Sequence, residues 1–348
     1  MNPYVLSILL TSLGLGTTIT FMSSHWLLAW MGLEINTLAI IPLMAQKHHP
    51  RAVEATTKYF LIQATAAAMI LFAASTNAWI YGQWDINQMS HPLTSSITMT
   101  ALALKIGLAP LHLWLPEVLQ GITLTTGLIL STWQKLAPFA LIIQTANNTH
   151  PLLLTTFALT SALVGGWGGL NQTQLRKILA YSSIAHLGWM ILMSQMAPQM
   201  TLIALIMYII MTTTAFLSLI NINSTKTITL TSAWTKTPTL TALMCLILLS
   251  LGGLPPLTGF MPKWLIIQEL ANQGFTLTAT IIALSALLSL YFYLRLTHAL
   301  TLTLSPQTTN ATTPWRIPTK KPTLALSLTT ILTTCLLPIT PTILTLMT

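Results

Sequence analysis

Apolar runs of roughly twenty residues recur from one end of this chain to the other, the length a helix needs to cross about 30 Å of hydrocarbon. Charge is correspondingly scarce. Only 5% of the 348 residues are Asp, Glu, Lys or Arg, against 53% hydrophobic, whereas a soluble domain carries about 25% charged residues. So few charges cannot furnish a water-facing surface, so lipid is expected to be the solvent for most of the chain. A transmembrane barrel would alternate over segments of about ten residues, and the sequence has no such pattern. The expected fold class is an all-α integral membrane protein.

Turn signals at His48-His49-Pro50, Gly82-Gln83, His91-Pro92, Asn147-Asn148, Asn171-Gln172 and Pro198 separate the runs. They give about eleven expected spans, near 3–21, 25–45, 54–81, 94–113, 122–144, 150–169, 174–195, 200–223, 239–270, 276–300 and 323–345, with one long polar loop at 301–322. A single transmembrane domain over 1–348 is expected, with no second domain. Charge supports the count. Eleven of the fourteen basic residues (Lys47, Arg51, Lys58, Arg176, Lys177, Lys226, Lys236, Arg295, Arg316, Lys320 and Lys321) fall after even-numbered spans or at the span ends facing those loops. The net charge of +9 is therefore read as a topology signal. The N-terminus and basic loops are expected on the cytoplasm-equivalent side, and the C-terminus opposite. Met1–Tyr4 has no basic stretch, so no cleavable signal is expected.

Two segments repeat. Gly107-Leu-Ala-Pro110-Leu-His-Leu-Trp-Leu-Pro116-Glu117 aligns without gaps to Gly253-Leu-Pro255-Pro256-Leu-Thr-Gly-Phe-Met-Pro262-Lys263, with five identities in eleven positions. One segment lies in span four and the other in span nine, which by parity cross in opposite directions. Proline removes a helical hydrogen bond and clashes with the turn before it. Pro110, Pro255 and Pro256 are therefore expected to break their helices. In hydrocarbon, unwound backbone survives only where protein or water satisfies it. Paired Gly/Pro breaks in two antiparallel halves are the mark of an inverted-repeat transporter and point at its ion path. The halves are placed at about 1–145 and 150–300, with a C-terminal helix at about 323–345.

Three basic residues remain once the loops are accounted for: Lys105, Lys135 and Lys263. Glu34 lies near the middle of span two. An ionisable group at the bilayer centre costs at least about 2.5–3.5 kcal/mol, so a use is expected, and proton transfer fits. A free lysine titrates near 10.4, and full burial can lower a lysine to about 5–6. A carboxylate about 4 Å away returns about 4 kcal/mol at an effective dielectric near 20. A Glu34 side chain that approached and left Lys105 would thus gate a proton, with Lys135 and Lys263 as acceptors along a wetted midplane. Two bland alternatives stay open. Glu34 and Lys105 could form a static pair, and Lys263 could snorkel to the headgroups. Weaker candidates for the path are His112 and Glu117, which line an exit or cap the break; His186, a relay or a backbone-bonded histidine; and Glu269, a path end or a helix terminus. Cys245 and Cys335 are expected to be core residues. No phosphate-binding loop, cysteine cluster or haem-type histidine pair occurs, so no cofactor, metal or nucleic acid is expected on this chain.

Longer stretches carry a resemblance. They are Ser24-His-Trp, Trp30-x-Gly-Leu-Glu34, Lys58-Tyr-Phe-Leu-x-Gln63, Pro116-Glu-Val, Thr132-Trp-Gln-Lys-Leu-Ala-Pro138, Gly165-x-Trp-Gly-Gly-Leu-Asn-Gln-Thr-Gln-Leu-Arg-Lys-Ile-Leu-Ala-Tyr-Ser-Ser183, Leu249 through Phe260 with Pro262-Lys-Trp264, and Leu290-Tyr-Phe-Tyr-Leu-Arg-Leu296. Over essentially its whole length the chain resembles the antiporter-like membrane subunits of respiratory complex I, the NADH–ubiquinone oxidoreductase. The resemblance implies the family's fourteen-helix fold without three N-terminal helices. It also implies a place in the mitochondrial inner membrane with the basic loops and N-terminus on the matrix side and the C-terminus facing the intermembrane space. In the family a glutamate pairs with a lysine on a broken helix, which match Glu34 and Lys105; the central lysine of the next helix matches Lys135, and that of the second broken helix matches Lys263. Implied partners are other complex I subunits, including neighbouring antiporter-like ones, and membrane lipid such as cardiolipin. NADH, FMN, iron–sulfur clusters and ubiquinone are implied to reside in other subunits. A Mrp-type cation/proton antiporter and a non-pumping membrane scaffold are the competing expectations.

Overall fold

A computed structural model describes residues 2–46, 49–235, 237–301 and 323–347. Lys47, His48, Lys236, Arg316, Lys320 and Lys321, and the predicted loop beyond Thr301, lie outside the described residues. The described chain is all-α. In order its helices are α1 (Pro3–Met22), α2 (Trp26–Met44), α3 (Pro50–Tyr81), α4 (Pro92–Ile106), α5 (Trp114–Gly121), α6 (Leu124–Ser131), α7 (Trp133–Thr145), α8 (Pro151–Gly169), α9 (Leu175–Met193), α10 (Pro198–Ile222), α11 (Thr227–Thr231), α12 (Pro238–Gly252), α13 (Phe260–Asn272), α14 (Thr276–Thr301), α15 (Leu324–Cys335) and α16 (Thr340–Met347). Among the described residues, seven segments are long and apolar enough to cross a membrane: α1, α2, α3, α6 with α7, α8, α10 and α14.

The chain divides into two compact units, one of residues 1–161 with 190–198, the other of 162–189 with 199–348. In the first unit α1 crosses α2 on paired glycines. A methyl on Gly32 would come within 2.8 Å of the Gly16 carbonyl, and one on Gly16 would strike Asn36. Small residues at such a crossing let backbones meet where lipid offers no hydrophobic drive for association. The α3 helix packs on α2, α4 and α5, and α4 on α7. In the second unit α12 packs on α14 and α15, and α13 on α14.

The helix breaks fall where the proline motifs predict them, with sharper limits. Spans four and nine are not continuous helices. The alignment that carries Gly107 onto Gly253 also carries Pro92 onto Pro238, Ile106 onto Gly252 and Trp114 onto Phe260, so α4 and α12, and the starts of α5 and α13, coincide to the residue. Each first half opens on a proline at its N-terminus and closes on a left-handed glycine, Gly107 at φ 86° and Gly253 at φ 79°. Only glycine adopts that conformation without strain, and it ends a helix cleanly. Two further interruptions depart from expectation. The predicted span 122–144 is broken at Thr132, between α6 and α7, and the predicted helix 323–345 is broken by the 3₁₀ turn Leu337–Ile339 that includes Pro338.

Candidate functional site

In the first unit α4, α7, α2 and α3 bring two lysines to one cavity. Lys105 sits in the last turn of α4, two residues before Gly107, and Lys135 in the first turn of α7, just past the break at Thr132. Their relative exposures are 5% and 3%, so neither reaches headgroups and snorkelling is excluded for both. Both line a cavity of about 20 Å³ together with Asn36, Tyr59, Gln63 and Gln134. Gln63 donates from Nε2 to the Lys105 carbonyl at 3.3 Å, and Gln134 from Nε2 to the Asn36 carbonyl at 3.1 Å. Trp114, on the far side of the break, donates from Nε1 to the Leu104 carbonyl at 3.1 Å, closing α5 back onto α4. Lys105 Nζ and Asn36 Oδ1 are buried without a hydrogen-bond partner among the described residues. Unsatisfied buried polar atoms of this kind are rare. A cavity of this size takes about one water molecule, which would give the Lys105 ammonium a partner.

Glu34 is half-buried on α2. Its Oε2 accepts from Thr37 Oγ1 at 2.8 Å, and it lies within electrostatic reach of Lys105 and Tyr59. It is not in contact with Lys105. The ion pairs of the described residues are instead at Lys58, which bridges Glu54 and Glu117, each at 2.8 Å. Both carboxylates and Lys58 are exposed, so this bridge contributes little to stability. Its evident use is to tie α5 to α3 at the end of the first break, which makes Glu117 a tether in this conformation. His112 is buried and hydrogen-bonds the Pro110 backbone.

In the second unit Lys263 stands in the first turn of α13 and is 8% exposed. Its Nζ donates to the Gly252 carbonyl at 2.7 Å, so it reaches back across the break to the C-terminal end of α12 and does not snorkel. Lys105 occupies the matching end of α4 from within that half-helix. The Lys263 ammonium therefore sits at the freed carbonyl of a half-helix C-terminus, where the helix dipole favours a cation and transporters hold theirs, whereas the Lys105 ammonium makes no such bond. His186, on α9, stacks at a tilt against Tyr208 with ring centroids 5.8 Å apart, and Tyr208 hydrogen-bonds Ser183. Counted from the start of its helix, Ser183 of α9 holds the position that Glu34 holds in α2, and α9 contains no carboxylate. Glu269 accepts from Gln273 Nε2 at 2.7 Å near the end of α13, in keeping with a helix terminus.

Sequence reasoning singled out the charges and missed the neutral groups around them: Asn36, Tyr59, Gln63, Gln134, Ser183 and Tyr208. The available signal was polarity within otherwise apolar spans.

Comparison with known proteins gives the family and the fold. The family described as NADH:quinone oxidoreductase/Mrp antiporter, transmembrane, matches residues 23–289, and that described as NADH dehydrogenase subunit 2 C-terminus matches 290–344. The chain is 72% identical over 346 residues to NADH-ubiquinone oxidoreductase chain 2 of Formosania lacustris, covering 99% of each. Among solved structures it is similar to a chain of respiratory complex I from Thermus thermophilus with bound aureothin, at 28% identity and a TM-score of 0.85, covering 98% of this chain and 79% of that one. It shares its fold with a chain of the Mrp complex from Dietzia sp., at 16% identity and a TM-score of 0.76, covering 87% of this chain and 61% of that one.

Proposed function

The chain belongs to the NADH:quinone oxidoreductase/Mrp antiporter membrane family, and we propose that it is the chain 2 antiporter-like subunit of respiratory complex I, translocating protons across the mitochondrial inner membrane. It works within a multi-subunit complex whose other chains carry out electron transfer from NADH to ubiquinone. In this proposal the chain itself holds no NADH, FMN, iron–sulfur cluster or ubiquinone, its N-terminus faces the matrix, and its C-terminus faces the intermembrane space.

The observation that carries the reading is the cavity shared by Lys105 and Lys135, with room for about one water and an unpaired ammonium at its wall. Glu34 is the gate. Held by Thr37, it leaves Lys105 without a counter-ion. Swung onto Lys105, it stabilises the charged ammonium. At about 4 Å and an effective dielectric near 20 that contact is worth about 4 kcal/mol, more than the roughly 2.3 kcal/mol needed to move one charge against 100 mV. When Glu34 withdraws, the Lys105 proton passes through the cavity to Lys135. Lys263 serves as the proton-holding group of the second unit, steadied by the Gly252 carbonyl. His112, Glu117, His186 and Glu269 are secondary path groups in this proposal.

Glu34→Gln in the assembled complex should lower NADH-driven proton output and quinone reduction together, by about ten-fold or more, without loss of assembly. Lys263→Met should act in the same direction and more mildly. Normal coupled turnover in both variants would leave the chain a scaffold. Ion movement by the isolated chain in liposomes would favour a stand-alone antiporter.

A further inference from the structure

The loop of the second break is tied to the C-terminal helix. A hydroxyl in an apolar helix ordinarily donates to a carbonyl three or four residues back, as Thr241 does to Pro238, Ser250 to Ile247 and Thr330 to Ser327. Thr258, in the loop between α12 and α13, does not. It is fully buried, and its Oγ1 donates at 2.5 Å to the Thr333 carbonyl on α15, 75 positions along the chain. That carbonyl is available because α15 stops. It is one of the last four carbonyls of Leu324–Cys335, which find no partner inside the helix. Pro338, in the 3₁₀ turn that follows, has no N–H with which to extend it. In hydrocarbon a freed carbonyl must be satisfied by protein or water, and Thr258 satisfies this one. Leu326, Thr330 and Thr333 are the buried residues of α15, four and three apart on one face, and the helix packs on α12.

Thr258 also begins α13. Its own carbonyl accepts from the Met261 N–H at 3.1 Å. Met261 lies in the first turn of α13, two residues before Lys263, whose Nζ reaches back to the Gly252 carbonyl. A line of bonded residues thus runs from α15 through Thr258 and the first turn of α13 to the end of α12. Pro255 and Pro256, at the tip of the loop, are exposed, so burial does not fix that stretch. The first break closes differently. The residue aligned with Thr258 there is His112, which bonds the Pro110 backbone within its own loop.

We propose that Thr258 is a positioning residue for Lys263 and that α15 holds it in that role. While the Thr258 hydroxyl sits on the Thr333 carbonyl, the loop and the first turn of α13 stay against α12, and Lys263 Nζ stays on the Gly252 carbonyl. The inference rests on the reading of Lys263 as the proton-holding group of the second unit.

The test compares two variants in the assembled complex: Thr258→Val, which keeps the branched shape and loses the donor, and Thr258→Ser, which keeps the donor. Hydrogen–deuterium exchange of the peptide covering 254–263 reads the loop, and NADH-driven acidification of vesicles reads the output. Leaving a buried acceptor unsatisfied favours local opening by about ten-fold. Exchange in Thr258→Val should rise by about that factor, and proton output should fall several-fold at unchanged assembly, while Thr258→Ser stays near native in both. Native exchange in Thr258→Val would overturn the proposal, since the hydroxyl would then hold nothing. So would faster exchange with native output, or equal losses in the serine and valine variants, which mark a need for bulk. Lys263→Met separates the two failures. Normal output there removes the role of Lys263 and the proposal with it, whereas a loss there beside native output in Thr258→Val strikes the positioning role alone. Where Thr258→Val fails to assemble, Pro338→Ala decides. It lets α15 run on through Leu337, whose N–H then takes the Thr333 carbonyl, and the same rise in exchange and fall in output should follow. A native value for either would overturn the proposal.

Discussion

Lys105→Met should leave the complex assembled and at least as heat-stable as the native one, while proton output and quinone reduction fall together by on the order of a hundred-fold. The two halves of that expectation have separate causes. Lys105 is 5% exposed and its Nζ has no hydrogen-bond partner among the described residues. Burying such a group costs at least about 2.5–3.5 kcal/mol, and methionine, unbranched and close in length, fills the same space. No ion pair is broken, because Glu34 bonds Thr37 in this conformation, so the destabilisation that follows removal of one member of a buried pair does not apply. Function fails for the opposite reason: the thioether carries no proton. Lys105→Arg separates a fixed charge from a proton carrier, since a guanidinium does not deprotonate in proteins, and it too should be inactive. Thermal midpoints of the purified complex, read beside NADH-driven acidification of vesicles, check both halves. Full turnover with arginine would reduce Lys105 to a static charge, and full turnover with methionine would remove it from the mechanism.

What the sequence made legible was whatever lipid makes expensive. Gly107 and Gly253, with the prolines beside them, are helix-breaking residues in hydrocarbon, and the structure breaks at both. Lys105, Lys135 and Lys263 are ammonium groups in apolar runs, and all three are buried. What stayed hidden involves residues that cost little to bury. The break at Thr132 has no glycine or proline to announce it. It forms with Thr132 Oγ1 donating to the Leu128 carbonyl at 2.7 Å, a local bond that a hydroxyl beside a helix can always offer. It places Lys135 next to a helix end, as the other two breaks place Lys105 and Lys263. The separation of Glu34 from Lys105 was equally unreadable, because residue identities say which charges can meet and not whether they do. The tie from Lys58 to Glu117 joins positions far apart in the chain, and neither belongs to a periodic pattern that would pair them.

The second break also carries the largest expected loss of stability, at Gly259. Its backbone is ordinary, at φ −62° and ψ −16°, so alanine could adopt it without strain. The obstacle is space. A methyl there would land on the Ser250 carbonyl in the last turn of α12 and come 3.1 Å from Met211 Sδ. A methionine end can turn aside, but a backbone carbonyl inside a helix cannot. The start of α13 would have to leave the end of α12 and take with it the Lys263 to Gly252 bond. Overpacking a core costs about 1–3 kcal/mol, more where backbone must move, and a change of 1–2 kcal/mol already alters abundance several-fold. Gly259→Ala should therefore lower the amount of assembled complex several-fold. The motif alone does not impose this demand, since the aligned residue of the first break is Leu113, which is 68% exposed. Gly14→Ala is the control: a methyl there meets nothing within 4 Å, and assembly should be unchanged. Blue-native electrophoresis of the two variants gives the comparison. Native levels for Gly259→Ala would mean that α12 and α13 are not held in the close contact on which the placement of Lys263 depends.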